Sequence, residues 1–171
     1  SIRLLGTNQD VTELKKIEMR IIHQAYHDPL TQLPNRIKLN QELENLLLKG
    51  QSTGRPFAIL WVDLDFFKNI NDNHGHLAGD AVLEEVARRL SSQLRSGDLV
   101  ARVGGDEFIV MLQDAHDAQK LEACANKMLS QFQYPVEFEN LLLPVGTSIG
   151  GAIYPIHGET VESLFSLSVG A

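Results

Sequence analysis

The spacing of apolar and polar residues along the chain predicts helices and strands in alternation. Phe57 to Val62 is an unbroken apolar run of strand length, typical of a central strand buried on both faces. Polar stretches at 50–56 and 66–75 are predicted loops, strands are predicted at 136–138 and 141–154, and a last helix at 159–167. Three stretches have apolar residues at helical spacing: Leu39, Leu43, Leu46 and Leu47; Leu83, Val86, Leu90 and Leu94; and Ala118, Leu121, Ala125, Met128 and Phe132. We place Pro34 and Asp80 in the first turns of the first two helices.

A narrower stripe precedes these elements. Leu14, Ile17 and Ile21 follow a capping-box pattern formed by Asp10 and Glu13, which predicts a helix that begins near Asp10. Because polar residues cover most of its circumference, we interpret this helix as a connector with a coiled-coil-like seam, although an ordinary surface helix is the alternative.

A hairpin is predicted where Gly104-Gly105 separates two β-type runs, 99–101 and 108–112. A type I′ turn needs a positive φ at both central residues, which glycine adopts without strain. The two strands of a hairpin are antiparallel, whereas the other predicted elements alternate between strand and helix. The predicted class is therefore α+β, with a mixed, mostly antiparallel central sheet of about five strands surrounded by helices.

Charge and cysteine content narrow the function. A net charge of −7 argues against a partner that is a nucleic-acid polymer or a membrane surface. The single cysteine, Cys124, excludes an internal disulfide and fits a reducing cytoplasm. No apolar run approaches the ~20 residues that cross a bilayer.

Carboxylates follow two of the predicted strands. Asp63 and Asp65 end the central strand on one face, and Asp106-Glu107 lies at the hairpin turn. Hard oxygen ligands of this kind suit Mg²⁺, and two such ions roughly 3.5–4 Å apart serve nucleotidyl transfer. Lys68 is within a loop's reach of phosphates. Solvated turn carboxylates without a metal remain an alternative from spacing alone.

Other metal motifs fit less well. An EF-hand that began at Asp63 would need an oxygen ligand at Phe67 and a glycine at Lys68, and neither is present. His74 and His76 have no further histidine or cysteine at a zinc-ligand spacing.

Residues Gly104 to Phe108 spell the GGDEF signature, and the chain resembles the diguanylate cyclases. Four further segments match in order: the opening motif from His27 to Arg36, with Gln32 where glycine is common; Asp63 to Asp72; Gly75 to Asp80; and Ser148 to Gly150. Together they cover roughly residues 25 to 165. The resemblance implies a ferredoxin-like, palm-like nucleotidyl-cyclase fold.

The resemblance also implies roles for individual residues. Asp63, the Leu64 carbonyl, Asp106 and Glu107 would hold Mg²⁺ or Mn²⁺, and the three carboxylates among them would be catalytic. Gly104, Gly105 and the backbone of Phe66 and Phe67, with Lys68, would meet the phosphates of GTP. Asn71 and Asp80 would bind the guanine edge.

In this family two domains, each with one GTP, meet to form cyclic di-GMP and pyrophosphate. Arg95 and Asp98 resemble the RxxD site for product inhibition, with a surface ion pair as the alternative reading. A catalytically silent module that binds GTP or cyclic di-GMP and controls an adjacent EAL phosphodiesterase is the alternative function.

The expected organisation has three parts. Residues 1–9 resemble the end of an upstream PAS-like sensor domain, 10–27 form the connector helix, and 28–171 form the GGDEF domain. The family carries a lysine and an arginine on a helix after Leu164-Phe165, then a last strand. Residues 166–171 supply neither, so we expect the sequence to end inside the domain. The expected context is a bacterial, cytoplasmic signalling protein with either a PAS-GGDEF or a PAS-GGDEF-EAL arrangement of domains.

Overall fold

The computed structural model describes the backbone of residues 2–169 and the side chains of residues 10–166. The elements in chain order are α1 (Ile2–Tyr26), α2 (Arg36–Thr53), β1 (Phe57–Asp65), α3 (Phe67–His74), α4 (His76–Ser92), β2 (Leu99–Gly104), β3 (Glu107–Gln113), α5 (Ala118–Gln131), β4 (Val136–Phe138), β5 (Leu141–Leu143), β6 (Gly146–Tyr154) and α6 (Val161–Val169).

A four-stranded sheet in the order β2-β3-β1-β6 forms the centre of the fold. This confirms the predicted α+β class with a mostly antiparallel central sheet, and every strand pair described in this sheet is antiparallel. The sheet has four strands instead of about five, because β4 and β5 pair only with each other. β6 instead pairs along the whole of β1, from Phe57 opposite Tyr154 to Asp65 opposite Gly146.

The strand β1 separates two apolar layers, as its continuous apolar run predicts. Its even-numbered residues, Leu60 and Val62 among them, pack with buried residues of α4 and α5. Its odd-numbered residues Phe57 and Ile59 pack with buried residues of α2 and with Leu164 of α6. Because side chains alternate across a strand, Asp63 and Asp65 lie on the α2 and α6 face.

Several predicted boundaries differ from the structure. α1 begins at Ile2 and continues without a break through the predicted start at Asp10. α2 begins at Arg36, after Pro34, because Asn35 is the N-cap and accepts a hydrogen bond from the Lys38 amide at 3.1 Å. α2 also runs to Thr53, into the predicted loop 50–56.

The predicted loop 66–75 contains α3, whose Ile70 is buried. α3 packs against α4. This tertiary contact stabilises a short helix whose other residues are largely polar.

The apolar seam of α1 faces solvent in this chain. Leu14, Ile17 and Ile21 are between 52% and 60% exposed. Of the helices in the described part of the chain, none combines the length and apolar character needed to cross a membrane.

Candidate active site at the end of strand β1

The antiparallel register brings the predicted metal ligands together. Asp63 of β1 lies directly opposite Glu107 of β3, so both side chains leave the same face of the sheet. The turn that carries Asp106 is attached to β1 by a hydrogen bond of 3.2 Å from the Leu64 amide to the Asp106 carbonyl oxygen. Four of the predicted residues thus lie at one end of the sheet.

The electrostatics of Asp63 show that these carboxylates are neighbours. Burial raises the pKa of Asp63, and the negative charges of Asp106 and Asp65 raise it further. Asp65 is turned toward β6, where its Oδ1 accepts a hydrogen bond of 2.8 Å from the Ser148 hydroxyl. A cation beside Asp63 would relieve this repulsion.

The oxygen donors at this site are of the type that binds Mg²⁺, although their side chains are not arranged as a complete set of ligands. In the described residues no group of three or more His, Cys, Asp or Glu side chains has the arrangement of a complete metal site. Asp63, Asp106, Glu107 and the Leu64 carbonyl are nevertheless hard oxygen donors, the type that Mg²⁺ and Mn²⁺ prefer. The metal-binding role of these residues therefore stays a prediction.

The turn formed by residues 104–107, here called the signature turn, differs from the predicted type I′ turn. Neither Gly104 nor Gly105 has a positive φ, and the β2–β3 register is irregular between Arg102 and Gly104. A Cβ atom at Gly105 would meet no atom within 4 Å, whereas one at Gly104 would lie 3.4 Å from the Glu107 carboxylate. Gly105 therefore leaves open space beside the turn, and neither glycine provides left-handed backbone.

The start of α3 presents backbone N–H groups beside the carboxylates. Phe66 precedes the helix in a left-handed conformation, with φ 57° and ψ 28°, and its side chain makes no capping hydrogen bond. Helix N-termini without a side-chain cap offer N–H groups and a positive dipole to anions. Lys68 lies in the same first turn and is exposed. This geometry suits the phosphate role predicted for Phe66, Phe67 and Lys68.

Packing of α3 on α4 brings the predicted guanine-binding residues near each other. A Cβ atom at Gly79 would overlap the side chain of Asn71, so glycine is required there for close approach. Asp80 is the next residue of α4, and Asn71 therefore lies beside the segment that carries it. The glycine that precedes Asp80 thus has a packing cause.

The sequence alone predicts no role for Asp28 or Arg102, yet the two side chains form an ion pair near the signature turn. Arg102 Nη1 lies 3.0 Å from Asp28 Oδ1, across 74 residues of sequence. Burial raises the pKa of Asp28, but hydrogen bonds from Thr31 and Arg102 outweigh it and hold the pKa below its usual value. The two residues are far apart in sequence. The sequence indicates their importance only because each residue lies beside a recognised motif.

Arg95 and Asp98 lie at the other end of β2 from the signature turn and differ from each other in environment. The Asp98 side chain is 4% exposed, and its oxygens accept from the backbone amides of Arg95 at 3.1 Å and Gln113 at 3.0 Å. The Arg95 side chain is 79% exposed and lies 3.8 Å from Asp98. Asp98 thus stabilises the turn formed by residues 95–98, and the Arg95 side chain is exposed to solvent.

The fold is that of the palm-like nucleotidyl cyclases. The sequence model of the family described as "Diguanylate cyclase, GGDEF domain" matches residues 25–168. The chain belongs to this family.

Individual relatives agree with that assignment. The chain is 39% identical over 145 residues to diguanylate cyclase TpbB of Pseudomonas aeruginosa. The alignment covers 84% of this chain and 33% of TpbB. It is 37% identical over 153 residues to the bifunctional diguanylate cyclase/cyclic di-GMP phosphodiesterase MucR of the same species, covering 90% of this chain and 22% of MucR. The chain thus spans a third or less of the length of these relatives.

A solved structure is similar throughout the fold. The sensory box/GGDEF family protein from Caulobacter crescentus superposes with a TM-score of 0.79 at 40% identity, covering 85% of this chain and 94% of that one. This similarity extends the family assignment from sequence to three-dimensional structure.

Proposed function

We propose that this chain is a catalytically competent diguanylate cyclase domain, which condenses two GTP molecules into cyclic di-GMP and pyrophosphate with Mg²⁺ or Mn²⁺. The observation that carries the proposal is the register of β1 and β3. It places Asp63 opposite Glu107, beside the signature turn and the uncapped start of α3. Relatives named as diguanylate cyclases support it.

Different residues would bind the cation and the triphosphate. Asp63, the Leu64 carbonyl and Glu107 would hold the cation, which would neutralise phosphate charge and lower the pKa of the attacking 3′-hydroxyl. Asp106 would complete the cation site or accept the proton of that hydroxyl. The N–H groups at the start of α3 and the Lys68 ammonium would bind the triphosphate.

The space beside the signature glycines would admit that triphosphate. A side chain at Gly105 would project into it, because a Cβ there meets no protein atom. Asn71 and Asp80 would bind guanine, since an Asp can accept from both N1–H and the 2-amino group. Adenine lacks this pair of donors, so we expect selectivity for GTP.

Two copies are needed because each contributes one GTP. The exposed seam of Leu14, Ile17 and Ile21 on α1 would pair with the same seam of a second copy, since apolar residues at this spacing bury well in a two-stranded coiled coil. Upstream PAS-like and downstream EAL domains, and a cytoplasmic location, belong to the same proposal. The "sensory box" neighbour and the bifunctional relative support the domain context.

Cyclic di-GMP would also bind away from the active site. Arg95 is the exposed group there, and a cavity of about 360 Å³ beside it is lined by Lys120 and Lys127 as well as by Asp98 and Asp114. Cations around a cavity suit a ligand with two phosphates. In this proposal Arg95 contacts the product and Asp98 holds the turn that presents it.

Calorimetry with GTP and ATP, with and without Mg²⁺, tests the proposal. We expect GTP to bind more tightly than ATP and to require the cation. Asp80→Asn should weaken GTP binding, while Glu84→Gln, one turn further along α4 and exposed, serves as the matched control. Equal affinities for the two nucleotides would refute the guanine site.

A regulatory module is the second candidate, because MucR is named as both a cyclase and a phosphodiesterase. The full-length protein should be assayed for synthesis and for hydrolysis of cyclic di-GMP. A Glu107→Gln protein that loses synthesis supports the cyclase. A wild-type protein that binds GTP without any synthesis, and whose hydrolysis changes with GTP, supports the regulatory module.

A further inference from the structure

The side chain of Arg102 joins two segments that are distant in sequence. Its Nη1 donates to Asp28 Oδ1 and Oδ2 at 3.0 and 3.1 Å. Its Nε and Nη2 donate to the Gly105 carbonyl oxygen at 3.1 and 2.9 Å. The Arg102 and Asp28 side chains are only 17% and 16% exposed, so solvent screens their attraction weakly. One guanidinium therefore holds Asp28 and the signature turn together.

Asp28 belongs to a hydrogen-bonded segment, residues 27–35, here called the joint, which connects α1 to α2. Within it, Asp28 Oδ2 accepts from the Thr31 amide and hydroxyl, both at 2.8 Å. Asn35 attaches the joint to the end of α1: its amide donates to the Tyr26 carbonyl at 2.9 Å and its side chain to the Ala25 carbonyl at 2.9 Å. A shift of the end of α1 would therefore move Asp28.

On the other side, the signature turn is attached to the strand that carries Asp63. The Leu64 amide donates to the Asp106 carbonyl oxygen at 3.2 Å, which is near the long end of the usual range. The Arg102 backbone amide also donates to the Pro34 carbonyl of the joint at 3.0 Å. The turn is thus held between β1 and the joint.

We propose that Arg102 is a positioning residue that transmits movement of the end of α1, through Asp28, to the signature turn. The position of the turn relative to β1 sets how closely Asp106 approaches Asp63. The mechanical link depends only on the contacts above. Its consequence for nucleotidyl transfer rests on the proposed function.

Arginine is required for this role because its planar fork reaches two acceptors in different directions. A lysine ammonium at the same position is a single point and cannot bind both Asp28 and the Gly105 carbonyl in the same way. Arg102→Lys therefore breaks the link while it preserves the positive charge.

Amide hydrogen exchange of Leu64, followed by NMR in the whole chain, tests the link. Asp28→Asn does not touch the turn directly, yet it should accelerate Leu64 exchange on the order of tenfold, because the turn loses its anchor. Exchange at Leu60, in the middle of β1, should stay the same. In an Arg102→Lys background, Asp28→Asn should add no further acceleration.

Arg36→Lys is the matched control. Arg36 also joins this region to β2, but through a long contact of 3.4 Å to the Val103 carbonyl. Its substitution should leave Leu64 exchange unchanged. Unchanged exchange at Leu64 in Asp28→Asn, equal acceleration at Leu60, or a full effect of Asp28→Asn in the Arg102→Lys background would each overturn the link.

Turnover by the full-length protein tests the consequence. Arg102→Lys should lower kcat on the order of tenfold with little change in GTP affinity, because the predicted guanine contacts on α3 and α4 are untouched. A loss confined to GTP affinity would overturn the positioning role. If the wild-type chain binds neither Mn²⁺ nor GTP, the proposed function fails, while the exchange measurements still decide the link.

Discussion

Glu85→Gln should destabilise the fold in a pH-dependent manner. Glu85 of α4 accepts hydrogen bonds from Arg88 at 2.6 and 2.8 Å and from Arg89 at 2.9 Å. Bonds from Arg88, with those from Arg89, lower the pKa of Glu85 from its usual 4.5 to about 2. At about 1.4 kcal/mol per pKa unit, the ionised Glu85 and its two arginines contribute at most about 3.5 kcal/mol to the free energy of unfolding.

The two arginines differ in how solvent affects them. The Arg88 side chain is 67% exposed and that of Arg89 is 8% exposed. Arg89 also donates to the Gln131, Tyr134 and Pro135 carbonyls, which attaches α4 to the segment after α5. Although Arg88 makes the shorter contact, we expect the Arg89 pair to account for most of the stabilisation. The contribution should therefore largely survive 1 M salt, where the Debye length is about 3 Å.

The sign of the pH dependence follows from the lowered pKa. The unfolded chain binds the Glu85 proton near its usual value, so the contribution is present above about pH 4.5 and is lost as the pH falls toward 2. Urea unfolding, followed by the fluorescence of the single tryptophan, Trp61, measures it. The gap between wild type and Glu85→Gln should be about 2 kcal/mol at neutral pH and should close toward pH 2.

The half-buried pair Lys38–Glu42 is the matched control. It has the same i, i+4 spacing as Glu85–Arg89, a distance of 3.0 Å, and side chains that are 35% and 32% exposed. Glu42→Gln should change stability by less than about 0.5 kcal/mol. A gap between wild type and Glu85→Gln that is the same at pH 7 and pH 2.5 would show that charge is not the cause.

Three further predictions concern the sites. Asp63→Asn should weaken Mn²⁺ binding at least about tenfold by calorimetry, and wild-type affinity should fall as the pH drops through the raised pKa of Asp63; an unchanged affinity would exclude Asp63 as a ligand. Gly79→Ala should displace Asn71 and reduce the preference for GTP over ATP about tenfold, or about 1.4 kcal/mol; retained selectivity would separate Asn71 from guanine recognition. Arg95→Ala should weaken cyclic di-GMP binding at least about tenfold while Asp98→Asn chiefly lowers the urea midpoint, and the reverse pattern would contradict the division of roles.

The sequence predicted those parts of the fold that depend on local pattern. The apolar run 57–62 identified β1, and the two-residue period placed Asp63 and Asp65 on one face, which the strand pairing confirms. The strand is three residues longer than the run because Asp63 to Asp65 continue to pair with β6. Hydrophobicity alone does not report backbone pairing of polar residues.

Features that depend on tertiary contact were missed. α3 exists because Ile70 is buried and Phe67 packs against the core, and neither fact follows from the polar sequence around them. The Gly-Gly pair suggested a turn with left-handed backbone, whereas neither glycine has a positive φ and Gly105 leaves open space beside the turn. The contact between Asp28 and Arg102 spans 74 residues, a separation for which no spacing rule exists.

The pairing of β1 gives Asp63 and Asp65 a role before any ligand binds. On the opposite face of β1, the side chains of Leu60, Val62 and Leu64 are at most 3% exposed. A slip of the strand by one residue would exchange the two faces and put both carboxylates into the apolar layer beneath α4 and α5. Burying an unpaired carboxylate costs several kcal/mol. The same two acids would thus reject misaligned strand pairings during folding, so their replacement by apolar residues would make the alignment of the sheet less certain.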